Sequence, residues 1–154
     1  MADNGWRDSP RTRGVHARQP VRLLALTQSA PMSQRLHALR GAISASHDDA
    51  QEILSATTEL MSEIMERNAL SPEQVVSCIF TVTDDLTAEF PAVAARELGF
   101  ERVPLLCARE IPVPGSLAKV IRVLIHYYAG DEHEAKHVYM REAASLRADL
   151  QAAQ

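Results

Sequence analysis

The residue with the strongest chemical signal is an arginine inside an apolar segment. Arg122 is flanked by Val, Ile and Leu throughout residues 120–125. A guanidinium keeps its charge in proteins and is costly to bury without a partner. Its presence therefore predicts either an anion-binding site or a structural ion pair, with Glu110 as a candidate acid for the pair.

Further arginines, one acid and one tyrosine occur where strand ends and helix faces are predicted. Taken singly, Arg96 is typical of a helix surface, Arg147 of a C-terminal tail and Tyr139 of a core. A guanidinium can bind a carboxylate through two parallel hydrogen bonds, which provides orientation as well as charge. Together the residues predict a pocket for a small molecule that bears carboxylates: Arg40, Arg96, Glu110, Arg122, Tyr139 and Arg147.

Other kinds of chemistry have less support in the sequence. No arrangement of Ser, Cys and His resembles a nucleophilic triad, and there is no glycine-rich phosphate loop. His133 and His137 are spaced to share a helix face as metal ligands, but without a third ligand nearby a solvated pair is favoured. We therefore predict no metal and no cofactor.

The charge distribution argues against a nucleic acid or a membrane as partner. Residues 41–154 contain nine basic and eighteen acidic groups, whereas nucleic acids bind to basic surfaces. No apolar stretch approaches the roughly 20 residues that span a bilayer.

Cys78 alternates with apolar residues and is interpreted as a core residue. Together with Cys107 it forms no disulfide framework, so the sequence predicts a reducing compartment, the cytoplasm.

The elements that must position these residues alternate between strand and helix patterns. Ser46 predicts an N-cap, with Asp49 three residues on, for a long amphipathic helix that ends near Asn68. A shorter helix is predicted for 91–98 and a helical turn for 142–146. Because five strands and few helices cannot cover both faces of a sheet, an α/β domain that forms an oligomer is expected. The predicted strands are 36–43, 75–83, 102–108, 117–128 and 137–139.

The ends of the chain differ in composition from its middle. Residues 1–34 lack helix or strand periodicity and are predicted to be a disordered extension, with Met32 as a candidate start of the functional chain. We expect one domain over residues 35–150 and a flexible tail over residues 151–154.

Several motifs occur in the order typical of one enzyme family. On these motifs the chain resembles a monofunctional chorismate mutase of the trimeric α/β (Bacillus) type, from about Leu36 to Leu150. The motifs are Leu39-Arg-Gly-Ala-Ile43, Phe80-Thr-Val-Thr-Asp-Asp-Leu86, Phe90-Pro-Ala92, Val103-Pro-Leu-Leu-Cys107, Ile121-Arg-Val123, His137-Val-Tyr139 and Leu146-Arg147-x-Asp-Leu150.

The resemblance implies a mixed sheet of about five strands with one long helix and short helices. It further implies a homotrimer like a pseudo-α/β barrel, with active sites at the subunit interfaces. The implied reaction is the Claisen rearrangement of chorismate to prephenate in phenylalanine and tyrosine biosynthesis, which requires no cofactor.

The resemblance also assigns roles to individual residues. Arg122 is expected at the ether oxygen and one carboxylate, and Arg40 and Tyr139 at a carboxylate. Glu110 and the Cys107 region are expected to bind the ring hydroxyl. The residues expected to pack against the ring are Phe90, Leu105, Leu106 and Leu146, and those expected at the rim are Arg96 and Arg147.

Two substitutions and two alternatives accompany this resemblance. Val93 stands where the Bacillus-type pattern has lysine, and Leu106 where it has threonine. One alternative is an imine-hydrolysing enzyme on a similar trimer. The other is a non-catalytic, ligand-binding or regulatory trimer of the same architecture.

Overall fold

The computed structural model describes residues 33–147, which form a mixed sheet with two α-helices. Two 3-10 segments complete the secondary structure: Pro72–Gln74, and the C-terminal segment Arg141–Arg147. Within the described range, no helix combines the length and the apolar character needed to cross a membrane. The other elements are β1 (Gln34–Ser44), α1 (Ala50–Asn68), β2 (Val75–Val82), α2 (Pro91–Glu97), β3 (Leu105–Arg109), β4 (Val120–Gly130) and β5 (Val138–Met140).

The five strands are arranged in the order β3-β2-β4-β1-β5. β4 lies at the centre and pairs antiparallel with both β1 and β2. The outer strands β3 and β5 pair parallel to β2 and β1, respectively. The predicted fold class, a mixed five-stranded sheet with one long helix, is thus confirmed.

Helix α1 is amphipathic and capped at both ends. Ile53, Leu60 and Ile64 on one side of the helix are fully buried. The N-cap is Asp49, whose carboxylate accepts the N–H groups of Gln51 (2.9 Å) and Glu52 (3.2 Å). The prediction of Ser46 as the cap is therefore wrong.

Both α-helices pack on the same face of the sheet. Alternate strand residues such as Leu39, Phe80 and Ile125 are fully buried against them in the main hydrophobic core. The residues between these point to the opposite face, which we call the open face. At one end of the open face the C-terminal 3-10 segment packs against the strands through Ala143, which is fully buried beside Ala42.

Several predicted boundaries shift in the structure. β1 spans Gln34–Ser44 and is continuous through Arg40 and Gly41, so it is longer than the predicted strand 36–43. β3 begins at Leu105 rather than 102, because residues 101–103 form a turn ahead of Pro104. The extension predicted for 1–34 and the tail predicted for 151–154 lie outside the described residues, except for positions 33 and 34.

Candidate active site

Strand register brings the predicted arginines onto the open face. Residues directly opposite on neighbouring strands share a face of a sheet. Arg122 of β4 lies opposite Thr81 of β2 on one side and Ala42 of β1 on the other. Ala42 is in turn opposite Tyr139 of β5. Arg40, two residues before Ala42, points the same way.

These side chains surround a cavity of about 450 Å³, within the size range of small-molecule sites. Five of the predicted site residues line it, although they are spread over more than a hundred positions of the chain. The lining residues are Arg40, Gly41, Ile79, Thr81, Arg122, Val123, Leu124, Tyr139, Leu146 and Arg147.

The Arg122 guanidinium is held by Glu110, which directly follows β3. Nη1 of Arg122 donates to Oε2 of Glu110, and Thr81 Oγ1 donates to the other carboxylate oxygen at 2.7 Å. The backbone N–H of Glu110 donates to Val82 O at 2.9 Å, which continues the pairing of β2 and β3. The carboxylate is therefore fixed by β2 and β4 together.

This ion pair does not exhaust the binding capacity of Arg122. A guanidinium has five N–H donors, and the Arg122 side chain is 36% exposed. The ion pair with Glu110, one of the two alternatives predicted for Arg122, is thus present, and its arginine also lines the cavity. The pair and an anion site are compatible, because Glu110 orients a cation that still borders the open space.

Arg40 is positioned through its backbone by a histidine. The Arg40 N–H donates to His137 Nδ1 at 3.1 Å, just before β5 begins. Burial lowers the pKa of His137, and the nearby charges of Arg40 and Arg147 lower it further. His137 therefore accepts this bond as a neutral ring.

His133 and His137, which were predicted to be a solvated pair, contact different residues. His133 Nε2 lies 2.8 Å from the Tyr127 hydroxyl, whereas His137 Nδ1 accepts the backbone N–H of Arg40. Both rings are partly buried, so the prediction of a solvated pair is wrong. Within residues 33–147 no cluster of His, Cys, Asp and Glu is arranged to hold a metal ion. Spacing could not reveal the role of His137, because Arg40 lies 97 positions away.

Comparison with known proteins identifies the family of this chain. The family model described as chorismate mutase type I matches residues 36–150. The chain belongs to the chorismate mutase type I family. The predictions of this family, of an isomerase and of chorismate mutase function are confirmed.

Individual relatives of the family match over nearly their whole length. A chorismate mutase AroH from Thermus thermophilus is 51% identical over 118 residues, 75% of this chain and 97% of the relative. The AroH protein of Bacillus subtilis is 39% identical over 117 residues, 75% of this chain and 92% of the relative. A solved chorismate mutase from Clostridium thermocellum has a TM-score of 0.68 and 45% identity, covering 71% of this chain and 98% of that one.

The remaining site residues predicted from this family lie elsewhere in the protomer. Phe90 and Cys107 line a second cavity of about 320 Å³, and Phe90 is 66% exposed. Arg96 is exposed on α2. Leu106 lies on the open face opposite Ile79 but does not line the cavity of Arg122.

The side chains of Leu105 and Cys107 point away from the open face. They lie opposite Cys78 and Phe80 on β2, and both pack against the main core. Within one protomer, the Leu105 side chain and the Arg122 side chain therefore lie on opposite faces of the sheet. Glu110 itself borders a separate cavity of about 230 Å³ that contains Asp84 and Asp85.

Thr81 is a site residue that the sequence did not reveal. It lines the cavity and donates to Glu110, and it lies directly opposite Arg122 in the sheet. In the sequence it is one of many β-branched residues in a strand, so its type carries no signal. Only the register of β2 against β4 identifies it.

Proposed function

We propose that the chain rearranges chorismate to prephenate in the cavity of Arg122, within a homotrimer whose neighbouring protomer completes each site. The observation that carries this proposal is the convergence of Arg40, Arg122, Arg147 and Tyr139 on one cavity of the open face. A substrate with two carboxylates matches such a cluster of guanidinium donors.

The reaction is consistent with the residues available. In a Claisen rearrangement the ether C–O bond breaks while a C–C bond forms in the same molecule, so no atom enters or leaves. Such a concerted step needs no nucleophile and no proton relay. Arg40, Tyr139 and Arg147 would bind carboxylates and hold the flexible dianion in its compact conformer, which removes the entropy cost before reaction.

Arg122 would supply the electrostatic part of catalysis. Negative charge grows on the ether oxygen as the C–O bond stretches, and a guanidinium fixed there stabilises the transition state more than the substrate. The ion pair with Glu110, and the hydrogen bond from Thr81 to Glu110, hold the Arg122 guanidinium in position before substrate arrives. Glu110 would also bind the ring hydroxyl. Leu146 would pack against the ring from the same protomer.

The trimer is supported by the open face. Large apolar side chains are exposed on it, including Leu36 (53%), Leu106 (59%) and Tyr128 (48%). A sheet face of this kind is normally buried against another layer. Phe90, Arg96 and the backbone near Cys107 do not share the cavity of Arg122, so a neighbouring protomer would bring them to it.

The domain limits and the compartment belong to the same proposal. Residues 35–150 would form the catalytic domain, with residues 1–34 and 151–154 outside it, in a cytoplasmic enzyme. No observation favours the imine-hydrolysing alternative or the non-catalytic trimer, because Arg122, Glu110 and Tyr139 are all present and placed around or beside one cavity.

One assay tests the proposal. Purified protein is incubated with chorismate, and the loss of chorismate and the appearance of prephenate are followed by chromatography beside the Arg122→Ala variant. We expect turnover by the wild type and a loss on the order of 10²-fold or more in the variant. Binding without turnover, or release of ammonia from a reactive enamine with chorismate untouched, would contradict the proposal. Sedimentation equilibrium tests the trimer.

A further inference from the structure

One wall of the cavity is made by the C-terminal 3-10 segment. Leu146 and Arg147 at its end line the space beside Arg122. The other lining residues belong to the sheet and are held by its ladder of hydrogen bonds, including Tyr139 on the short edge strand β5. A 3-10 helix has poorer hydrogen-bond geometry than an α-helix, so its position depends on contacts with neighbouring elements.

The start of this segment is held by the guanidinium of Arg141. Nη1 donates to Ser44 O at 3.1 Å and to Glu52 Oε1 at 2.9 Å, and Nη2 donates to Glu59 Oε2 at 2.5 Å. One side chain therefore connects the 3-10 segment to the end of β1 and to two turns of α1. We call these contacts the Arg141 bridge.

Neighbouring contacts support the bridge. Glu52 Oε1 also accepts the N–H of Ser46 at 2.7 Å, which orients this carboxylate. The N–H of Glu142 donates to Ser44 Oγ at 3.0 Å. Ala143 is fully buried one residue further on. The chain is thus attached to β1 and α1 at the point where it leaves β5.

The backbone at Arg141 has an unfavourable conformation for its residue type. Its φ of 52° lies in the left-handed region, which glycine adopts readily and arginine does not. This residue turns the chain from β5, which contains Tyr139, into the segment that contains Leu146 and Arg147. Residues held in such conformations persist only where the surrounding structure fixes them, and they cluster at functional sites.

We propose that Arg141 is a positioning residue for the rearrangement: through Glu52 and Glu59 it fixes the wall formed by Tyr139, Leu146 and Arg147. This inference rests on the proposed function. Arg141 does not line the cavity, so it acts on the substrate only through the groups whose position it sets.

The test uses Arg141→Gln in the full chain, which removes the charge and keeps most of the stem. A displaced wall weakens substrate binding, so we expect kcat/KM to fall about tenfold, chiefly through KM, with kcat changed less than threefold. Hydrogen exchange in the peptide that spans 141–147 should become faster in the same variant. Arg67→Gln is the matched control, because it removes an ion pair with Glu63 on α1 and neither residue lines the cavity.

Further variants separate positioning from simple stability. Arg141→Gly relieves the backbone strain, so it should be at least as stable as Arg141→Gln and yet show the same rise in KM. Glu59→Gln should raise KM in the same direction by a smaller factor, and the double variant Arg141→Gln/Glu59→Gln should be no worse than Arg141→Gln, since both act through one contact.

The outcomes distinguish this inference from the proposed function. Normal turnover by the wild type, with KM and hydrogen exchange unchanged in folded Arg141→Gln and Arg141→Gly, would overturn the positioning role alone. If Arg141→Gln fails to fold, an unchanged KM in Glu59→Gln has the same meaning. Absence of chorismate turnover by the wild type would overturn the proposed function and the inference with it.

Discussion

Arg122 and Glu110 form an ion pair that spans strand β2, with Thr81 of that strand donating to the free oxygen of the carboxylate. The pair joins Arg122 of β4 to the residue that directly follows β3, and these two strands are not neighbours in the sheet. Because Glu110 is only 14% exposed in its side chain, its charge is best satisfied by these contacts. The geometry of this pair determines how the protein should respond to substitution.

Arg122→Lys should abolish most of the activity although it keeps the charge. An ammonium is a point charge and cannot bind Glu110 and a ligand oxygen in the fixed geometry of a fork. We expect kcat to fall on the order of 10²–10³-fold, with a smaller change in KM. Steady-state kinetics beside Arg67→Lys, a control on the surface of α1, measures this. A kcat within threefold of the wild type would show that charge alone is sufficient.

Thr81→Val should lower activity without a large change in shape. The substitution removes the hydroxyl that donates to Glu110 at 2.7 Å and leaves a side chain of similar volume. A hydrogen bond to a charged group contributes about 1.5–3 kcal/mol, so a fall of at least about tenfold in kcat/KM is expected. Thr58→Val on α1 is the matched control. Equal kinetics for the two variants would mean that Thr81 has no part in orienting the ion pair.

The protein should lose stability as the pH falls below about 6.5. Burial lowers the pKa of both His133 and His137 in the folded chain. When the pH falls below the ordinary histidine pKa, these two side chains bind protons in the unfolded chain but not yet in the folded chain. The free energy of unfolding therefore decreases as the pH falls from the unfolded-state pKa to the folded-state pKa. Thermal melts from pH 8 to pH 5 measure the effect.

Activity should show a matching acid limb through His137. Protonation of Nδ1 removes the acceptor for the Arg40 N–H and adds a third positive charge beside Arg40 and Arg147. His137→Asn places an amide oxygen where Nδ1 lies and cannot be protonated, so kcat/KM should then depend less on pH between 7 and 5. His47→Asn, at an exposed position, should retain the wild-type profile. The idea is wrong if both variants keep the same acid limb.

Gly41→Ala should destabilise the fold, because other side chains already fill the space beside Gly41 on the face of the sheet that the helices cover. A Cβ at Gly41 would lie 2.6 Å from Ile64 Cδ1, 3.2 Å from Leu60 Cδ1 and 3.3 Å from Val123 Cγ1. Overpacking typically costs 1–3 kcal/mol, and we expect about 1 kcal/mol here because these are side-chain ends that can shift.

Gly130→Ala is the matched control for that change. No atom lies within 4 Å of a Cβ at this position, which is also in a strand. Its free energy of unfolding should stay within about 0.5 kcal/mol of the wild type. Denaturant titration measures both variants, and equal stabilities would contradict the packing argument.

Sequence reasoning predicted the main elements, and five of the residues that line the cavity of Arg122, from patterns that are local in the chain. The apolar alternation around Arg122 and the helical spacing of Ile53, Leu60 and Ile64 report burial directly, so β4 and α1 were predicted close to their observed positions. The boundaries were less accurate, because caps and turns depend on single hydrogen bonds, as at Asp49.

The sequence by itself determined the composition of the site: permanent cations among apolar residues, and ordered motifs that identify the family. Only the tertiary structure decided which groups meet. Strand register placed Thr81 between Arg122 and Glu110, a parallel pairing brought His137 to Arg40, and Arg141 reached back to α1. These contacts join residues that are 12 to 97 positions apart in the chain, a distance over which no local pattern operates. They exist because the register of the strands, together with the burial of one sheet face, determines the face to which each side chain points.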